Sequence, residues 1–175
     1  MADAWNNRVQ IFDANGNYKD TFGSWGAGND ELKWPTDIAF APNGNIYVVG
    51  LSNSRVQIFD SNHSYLATLG VTGEPGSDNN HFDNLHGIAI DSNGNVYVAD
   101  SDNERIQVFN SNHVYVRTMG VTNECGNDFD HFCGPHDVAV NAQDWLYVAD
   151  TWNNRVQKWE AAEALPPLPA RKTVR

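Results

Sequence analysis

The sequence contains few basic residues. It has 11 Lys and Arg against 22 Asp and Glu, which gives a formal net charge of −11 over 175 residues. A field of this sign repels phosphate backbones, so we expect no nucleic-acid partner and rank RNA binding last among the candidate functions. The basic cluster of Arg171, Lys172 and Arg175 is typical of a solvated tail.

Long hydrophobic runs are also missing. No stretch reaches the roughly 18 apolar residues that a membrane-spanning helix needs, so we expect no membrane partner. Residues 1–7 contain neither a basic nor an apolar segment and are not a signal peptide as written. Hydrophobic residues still make up 41% of the chain and aromatic residues 11%, which predicts a folded core rather than disorder.

Cysteine is scarce, with only Cys125 and Cys133, eight positions apart. No second Cys/His pair stands at a spacing that would make them a structural zinc site. A disulfide and two reduced thiols both fit this short loop, and we expect the disulfide. It would indicate an extracellular or other oxidising compartment.

What the sequence does have is a repeat of about 50 residues. Four nearly identical phrases, RVQIFD, RVQIFD, RIQVFN and RVQKWE, follow one another at spacings of 47, 50 and 50 residues. An Asn precedes each Arg by two positions, and an Asp stands three positions before that Asn in three of the copies. Gly50 takes the place of this Asp in the second copy. The motif residues are Asp3, Asn6, Arg8, Asn53, Arg55, Asp100, Asn103, Arg105, Asp150, Asn153 and Arg155.

We interpret this motif as structural, because every copy faces the same packing problem. The Asp is expected to accept backbone N–H groups in its own turn, and the Arg to bind carbonyl groups or the Asp. The turn at Gly50 should then be looser than the others.

Each full repeat contains four short segments rich in Val, Ile, Tyr and Phe, separated by turn residues such as Asn43-Gly44 and Asn93-Gly94. Four strands joined by hairpins form one antiparallel sheet with two apolar faces, and radial stacking of such sheets makes an all-β propeller. The repeats are residues 2–35 (partial), 36–85, 86–135 and 136–160 (partial), within a propeller segment 1–160 followed by a Pro-rich tail, 161–175. The thirteen predicted strands are 8–12, 18–22, 36–40, 45–49, 55–59, 65–69, 86–90, 95–99, 105–109, 115–119, 136–140, 145–149 and 155–159.

The phrase PHDVAV…LYVADTWNNRVQKW and its copies resemble NHL repeats over roughly residues 2–160. The resemblance implies a six-bladed ring, of which about three blades lie in this chain. A homodimer could close the ring, with strand 8–12 of one copy completing the blade begun by 136–149 of the other. The alternatives are a segment of a longer propeller and an engineered or evolutionary fragment that self-assembles.

Two histidines, His86 and His136, occupy equivalent positions at the start of the innermost strand, beside Asp137. In the 36–85 repeat this place is taken by Thr36, followed by Asp37. Innermost strands line the channel of a propeller, so these five residues are expected at its mouth. Imidazoles that converge there could bind zinc, although they could equally hydrogen-bond the neighbouring backbone.

The stretch HFCGPHDVAV (131–140) is similar to phrases of the peptidyl-hydroxyglycine amidating lyases, which implies a zinc-dependent lyase as the alternative function. The main prediction is a non-catalytic scaffold that binds a protein, a peptide or a glycan. Calcium in the Asp- and Asn-rich loops 73–84 and 123–134 is a weaker hypothesis.

Overall fold

The computed structural model describes residues 1–159, so the predicted tail 161–175 lies outside the described residues. Fourteen strands are present in this part of the chain, one more than the thirteen predicted. The additional strand is Ala2–Asp3, which is too short to show any alternation. The strands are β1 Ala2–Asp3, β2 Arg8–Phe12, β3 Tyr18–Phe22, β4 Pro35–Phe40, β5 Ile46–Gly50, β6 Arg55–Phe59, β7 Tyr65–Leu69, β8 Leu85–Ile90, β9 Val96–Asp100, β10 Arg105–Phe109, β11 Tyr115–Met119, β12 Pro135–Val140, β13 Leu146–Asp150 and β14 Arg155–Trp159.

The strands form four antiparallel sheets, each of which is one propeller blade. Two sheets have four strands, in the orders β4-β5-β6-β7 and β8-β9-β10-β11, and two have three, β1-β2-β3 and β12-β13-β14. A one-turn 3₁₀ helix joins the second strand of each blade to the third. These helices span Ala4–Asn6, Leu51–Asn53, Ser101–Asn103 and Thr151–Asn153.

The two three-stranded blades lack different strands. Comparison with the full blades shows that the first, within the described residues, has no inner strand and that the last has no outer strand. The position beside β13 is filled by β14 of the same chain. The predicted completion of that blade by strand 8–12 of a second copy is therefore wrong, because its place is already taken.

The hairpins between the first and second strands differ in one detail from the prediction. Gly44 and Gly94 adopt positive φ angles of 86° and 81°, whereas Asn43 and Asn93 do not. These Asn-Gly pairs therefore do not form a two-residue turn, which would need positive φ at both positions. Instead, Gly94 N–H donates to Asp91 O, and the glycine supplies the one left-handed residue of a longer turn.

The hydrophobic core lies between the blades rather than inside any one sheet. One cluster joins the second and third blades through Val49, Val56, Leu85 and Val98, and a corresponding cluster joins the third and fourth. Tyr47 and Tyr97, each 2% exposed, are buried at these junctions. The inner strands β4, β8 and β12 consequently pack side by side around a common axis.

A groove of about 750 Å³ lies where the first blade has no inner strand. Met1, Val9 and Phe12 line one side of it, and Ile38 and Phe40 line the other. The described residues thus form an open part of a ring, with apolar side chains along the gap.

Candidate functional site

The starts of the three inner strands meet at the channel mouth, around a cavity of about 210 Å³. The cavity is lined by Thr36, Asp37, His86, Gly87, His136 and Asp137. These include all five residues that the sequence placed there. Their convergence follows from the equal spacing of the repeats, since each residue occupies the same position in its own blade.

His86 and His136 stack with their ring centroids 4.6 Å apart and their planes at 19°. Burial lowers the pKa of His86, and the neighbouring His136 lowers it further. Within residues 1–159 neither imidazole has a hydrogen-bond partner, so the predicted alternative of bonds to the neighbouring backbone is not what these rings make.

The third position of this ring differs chemically. The Thr36 hydroxyl donates a hydrogen bond of 2.9 Å to His86 O, which commits it to the backbone. Residues 1–159 contain no group of three or more His, Cys, Asp or Glu side chains placed to hold a metal ion. The donors at the channel mouth are therefore one imidazole short of a three-histidine zinc site.

Asp37 connects two blades at the same place. Its carboxylate accepts the N–H groups of Ile38 and Ile88, both at 2.8 Å. Burial raises the pKa of Asp37, and the charge of Asp137 contributes in the same direction. In the blade between them, the residue equivalent to Asp37 and Asp137 is Gly87. A Cβ at Gly87 would lie 2.5 Å from Asp137 Oδ1. The close approach of β12 therefore requires a glycine there.

The repeat motif binds the loop that leads into its own blade. Asp100 accepts hydrogen bonds from the Asp83 N–H at 2.7 Å, Arg105 Nε at 2.7 Å and Asn103 Nδ2 at 3.0 Å. The terminal nitrogens of Arg105 donate to the carbonyls of residues 77, 78 and 81. The Asp thus accepts its backbone bond from the preceding loop and not from its own turn, which is closed by Glu104 N–H donating to Ser101 O.

The same arrangement recurs in the last blade, where Asp150 accepts from the Cys133 N–H at 2.7 Å and from Arg155 Nε at 2.6 Å. In the second blade Gly50 removes the carboxylate, and the 3₁₀ turn that follows still ends in a left-handed residue, Ser54. Its closing hydrogen bond, from Ser54 N–H to Leu51 O, is 3.4 Å long, against 3.0–3.1 Å in the other three blades, so the turn is looser, as predicted. The loss also appears in the side chains, since Arg55 Nε and Asn53 Oδ1 are buried without a hydrogen-bond partner.

The loop before the last blade carries the disulfide between Cys125 and Cys133. In the same loop Asp128 Oδ1 accepts hydrogen bonds from the Asp130 N–H and from His131 Nδ1. Asp78 and His81 form the equivalent pair in the preceding loop. One carboxylate in each of the two loops proposed for calcium, Asp78 and Asp128, is thus engaged in holding its own loop.

Four large aromatic side chains are exposed on the face that carries the 3₁₀ turns and the loops between blades. They are Trp5, Trp25, Phe129 and Trp152, with exposures of 80%, 70%, 84% and 66%. In the sequence Trp5 and Trp152 stand in turns beside Asn-Asn, where an indole is expected to cover a blade edge or to offer a stacking surface. Sequence reasoning did not identify Trp25 and Phe129, although their place in a loop between blades was a usable signal. Trp5 lies 4.3 Å from Trp34, centroid to centroid, and one side of it remains open.

None of the helices in residues 1–159 is long and apolar enough to cross a membrane.

Comparison with known proteins agrees with this architecture. The NHL repeat profile matches residues 82–109 and 132–159, and a β-propeller repeat profile matches residues 25–55. No curated protein sequence matches the chain.

Several solved structures share the fold. A streptogramin B lyase superposes with a TM-score of 0.61 at 10% identity, covering 93% of this chain and 50% of its own. An auxiliary nutrient binding protein from Bacteroides thetaiotaomicron gives 0.63 at 15%, covering 87% and 42%. Virginiamycin B lyase from Staphylococcus aureus gives 0.55 at 11%, covering 90% and 50%.

The chain spans about half or less of the length of each of these structures. Identities this low indicate a shared fold and do not transfer an activity. Together with the four antiparallel sheets, they show that this chain has a β-propeller fold, and the repeat profile identifies residues 82–109 and 132–159 as NHL repeats.

Proposed function

We propose that this propeller is a non-catalytic binding scaffold whose ring is completed by further blades and whose loop face binds a protein, a peptide or a glycan. The observation that carries the proposal is the set of four exposed aromatic side chains on that face, defined above. Large apolar groups exposed together on one face are typical of interaction sites, and indole rings stack well on sugar rings and on peptide side chains.

The second element of the proposal is completion of the ring. The groove beside the first blade has a volume of about 750 Å³, and its lining includes Val9, Phe12, Ile38 and Phe40. An uncovered sheet edge favours pairing with another strand. Additional blades, from a second copy of this chain or from another chain or domain, would cover this groove.

The binding face can be tested with the full chain on a glycan array and a peptide array. Trp5→Ala combined with Trp152→Ala is expected to remove binding to every probe that wild type retains. Leu66→Ala is the control, because Leu66 is 48% exposed but lies on the outer strand β7, away from both the loop face and the groove. Equal loss in the control, or unchanged binding in the double variant, would contradict the proposal.

Ring completion is tested by light scattering on the same protein. A mass of twice 19.4 kDa is expected if two copies cover each other's gaps. A monomeric mass would indicate that the missing blades come from a different chain or from another domain.

A zinc-dependent lyase is the second candidate, favoured by the adjacency of the two unpartnered imidazoles of His86 and His136. Two imidazoles do not complete a catalytic zinc site, so a further blade would have to supply the third ligand. Metal analysis of the assembled ring decides between the functions. Stoichiometric zinc that disappears in His86→Gln would favour the lyase, and its absence would favour the scaffold.

The disulfide also supports a location in an oxidising compartment, such as the extracellular space.

A further inference from the structure

The second blade, β4–β7, carries the repeat motif without its acidic member. Gly50 stands at the position of Asp100 and Asp150 in the next two blades. The other members, Asn53 and Arg55, are retained and are 1% and 2% exposed, and Gln57, at the place of Gln107 and Gln157, is 1% exposed. A complete set of donors is therefore buried around a place where the carboxylate has been lost.

The two neighbouring blades show how strongly that place attracts negative charge. Asp150 accepts from Arg155 Nε at 2.6 Å, from the Cys133 N–H at 2.7 Å, from Asn153 Nδ2 at 3.0 Å and from Gln157 Nε2 at 3.1 Å. Asp100 has the same four kinds of donor. Four N–H donors thus converge on one carboxylate in each blade.

In the Gly50 blade Gln57 Nε2 donates instead to the carbonyls of residues 28 and 29, and the other three donors have lost that acceptor. Arg55 Nε has no hydrogen-bond partner, and Lys33, whose N–H occupies the place of the Cys133 N–H, has no carboxylate to bind. Asn53 Nδ2 donates to Gly26 O, as Asn153 Nδ2 does to Gly126 O, so its second hydrogen is the one that the carboxylate would have accepted.

Arg55 also lacks an ion pair within the described residues, although the charge of Glu31 acts on it from beyond ion-pair distance. Arg8, Arg105 and Arg155 each form an ion pair with the Asp of their motif. Within residues 1–159 Arg55 forms none, and its terminal nitrogens donate to neutral groups, the carbonyls of residues 27, 28 and 31 and the hydroxyl of Thr72. Burying a guanidinium without a counter-charge is unfavourable, and burial accordingly lowers the pKa of Arg55.

The space is compatible with an occupant. A Cβ at Gly50 would have its nearest neighbour, Arg55 O, at 3.5 Å, which is ordinary van der Waals contact. The backbone at Gly50 has φ of −108°, a conformation open to any residue. The position of the missing Cβ is therefore free of steric overlap.

We propose that the Gly50 blade binds a small monovalent anion, such as chloride or formate, in place of the missing carboxylate. The anion accepts the hydrogen bonds of Arg55 Nε, Lys33 N–H and Asn53 Nδ2, and it neutralises the buried guanidinium. The rival occupant is a water molecule, which would fill the space and could also donate to Asn53 Oδ1. Water brings no counter-charge to Arg55, so the two occupants predict different responses to salt.

The first experiment follows thermal unfolding of the full chain in sodium chloride, sodium formate and sodium gluconate at equal ionic strength. Gluconate is much larger than the aspartate side chain whose place the anion would take, and it controls for ionic strength. Chloride and formate are expected to raise the melting temperature by about 3–5 °C for each tenfold increase above the dissociation constant. The relative midpoints of the chloride and formate curves show which small anion the site prefers.

Gly50→Asp is the decisive variant, because it supplies the carboxylate covalently. It is expected to melt at a higher temperature than wild type in gluconate and to lose the response to chloride and formate. Gly50→Asn is the control for size, since it fills the space without a charge and should not reproduce the gain. Asp100→Gly creates the same vacancy in the next blade and is expected to add a second anion response.

A crystal grown in bromide provides a readout that does not depend on stability. An anomalous peak within hydrogen-bond distance of Arg55 Nε is expected in wild type and not in Gly50→Asp. A melting temperature equal in chloride and gluconate, or a chloride response that persists in Gly50→Asp, would overturn the proposal in favour of water.

Discussion

Asp37 Oδ2 accepts the backbone N–H of Ile88 at 2.8 Å, so a carboxylate on one inner strand fixes the inner strand of the next blade. Its other oxygen accepts the N–H of Ile38. We expect Asp37→Ala to lower the free energy of unfolding by about 2–3 kcal/mol, because two N–H groups lose their acceptor. Urea denaturation measures this. Asp137→Ala is the control, since Asp137 accepts only the Val138 N–H within residues 1–159, and its cost should be clearly smaller.

Tyr47 and His113 connect the second and third blades through a hydrogen bond of 2.8 Å between the phenol oxygen and Nε2. Tyr47→Phe is expected to cost about 1 kcal/mol of unfolding free energy. A double-mutant cycle with His113→Ala should give a coupling of similar size, and additive effects would show that the bond contributes nothing. Tyr147→Phe is the matched control, because no partner for its hydroxyl exists in the described part of the chain, and it should change stability little.

The disulfide between Cys125 and Cys133 links two residues that are eight positions apart and so closes a short loop. Loop-closure entropy gives it a stabilisation of about 2.5 kcal/mol. Reduction of wild type should therefore lower the melting temperature, and the double variant Cys125→Ser, Cys133→Ser should melt lower and be insensitive to reductant. The variant is expected to keep its fold, because the corresponding loop of the preceding blade has Pro75 and Asp83 at these positions. An altered circular dichroism spectrum would contradict this expectation.

His86 provides a test by pH. Burial and His136 depress its pKa below the ordinary value of about 6.5, so the unfolded chain binds this proton more readily than the folded one. The stabilisation that neutral His86 gives the folded state is fully present at pH values above the pKa of His86 in the unfolded chain. It is lost as the pH falls from that pKa toward the lower pKa of the folded chain. An NMR titration should place the midpoint of His86 below that of an unfolded control peptide.

His136→Gln should then move the midpoint of His86 upward without restoring it fully, because burial, the larger cause, remains. A midpoint unaffected by this variant would show that the stacked pair is not electrostatically coupled.

The sequence by itself determined the blades. Short apolar segments separated by turn residues define strands locally, and the regular spacing of the Arg-containing phrases placed them in equivalent blades. The convergence of Thr36, His86 and His136 followed as well, because equal positions in successive repeats meet around one axis. Only β1 was missed, since two residues carry no periodic signal.

Only the tertiary structure decided which partners the repeated residues take. Arg105 binds carbonyls 24–28 residues away, and Tyr47 reaches His113 over 66 residues. These contacts arise when blades pack radially, and no local pattern encodes the distance between two turns of different sheets. For the same reason the sequence could show that Gly50 departs from the motif but not that the cost falls on the buried charge of Arg55, because burial is a property of the packed blades alone.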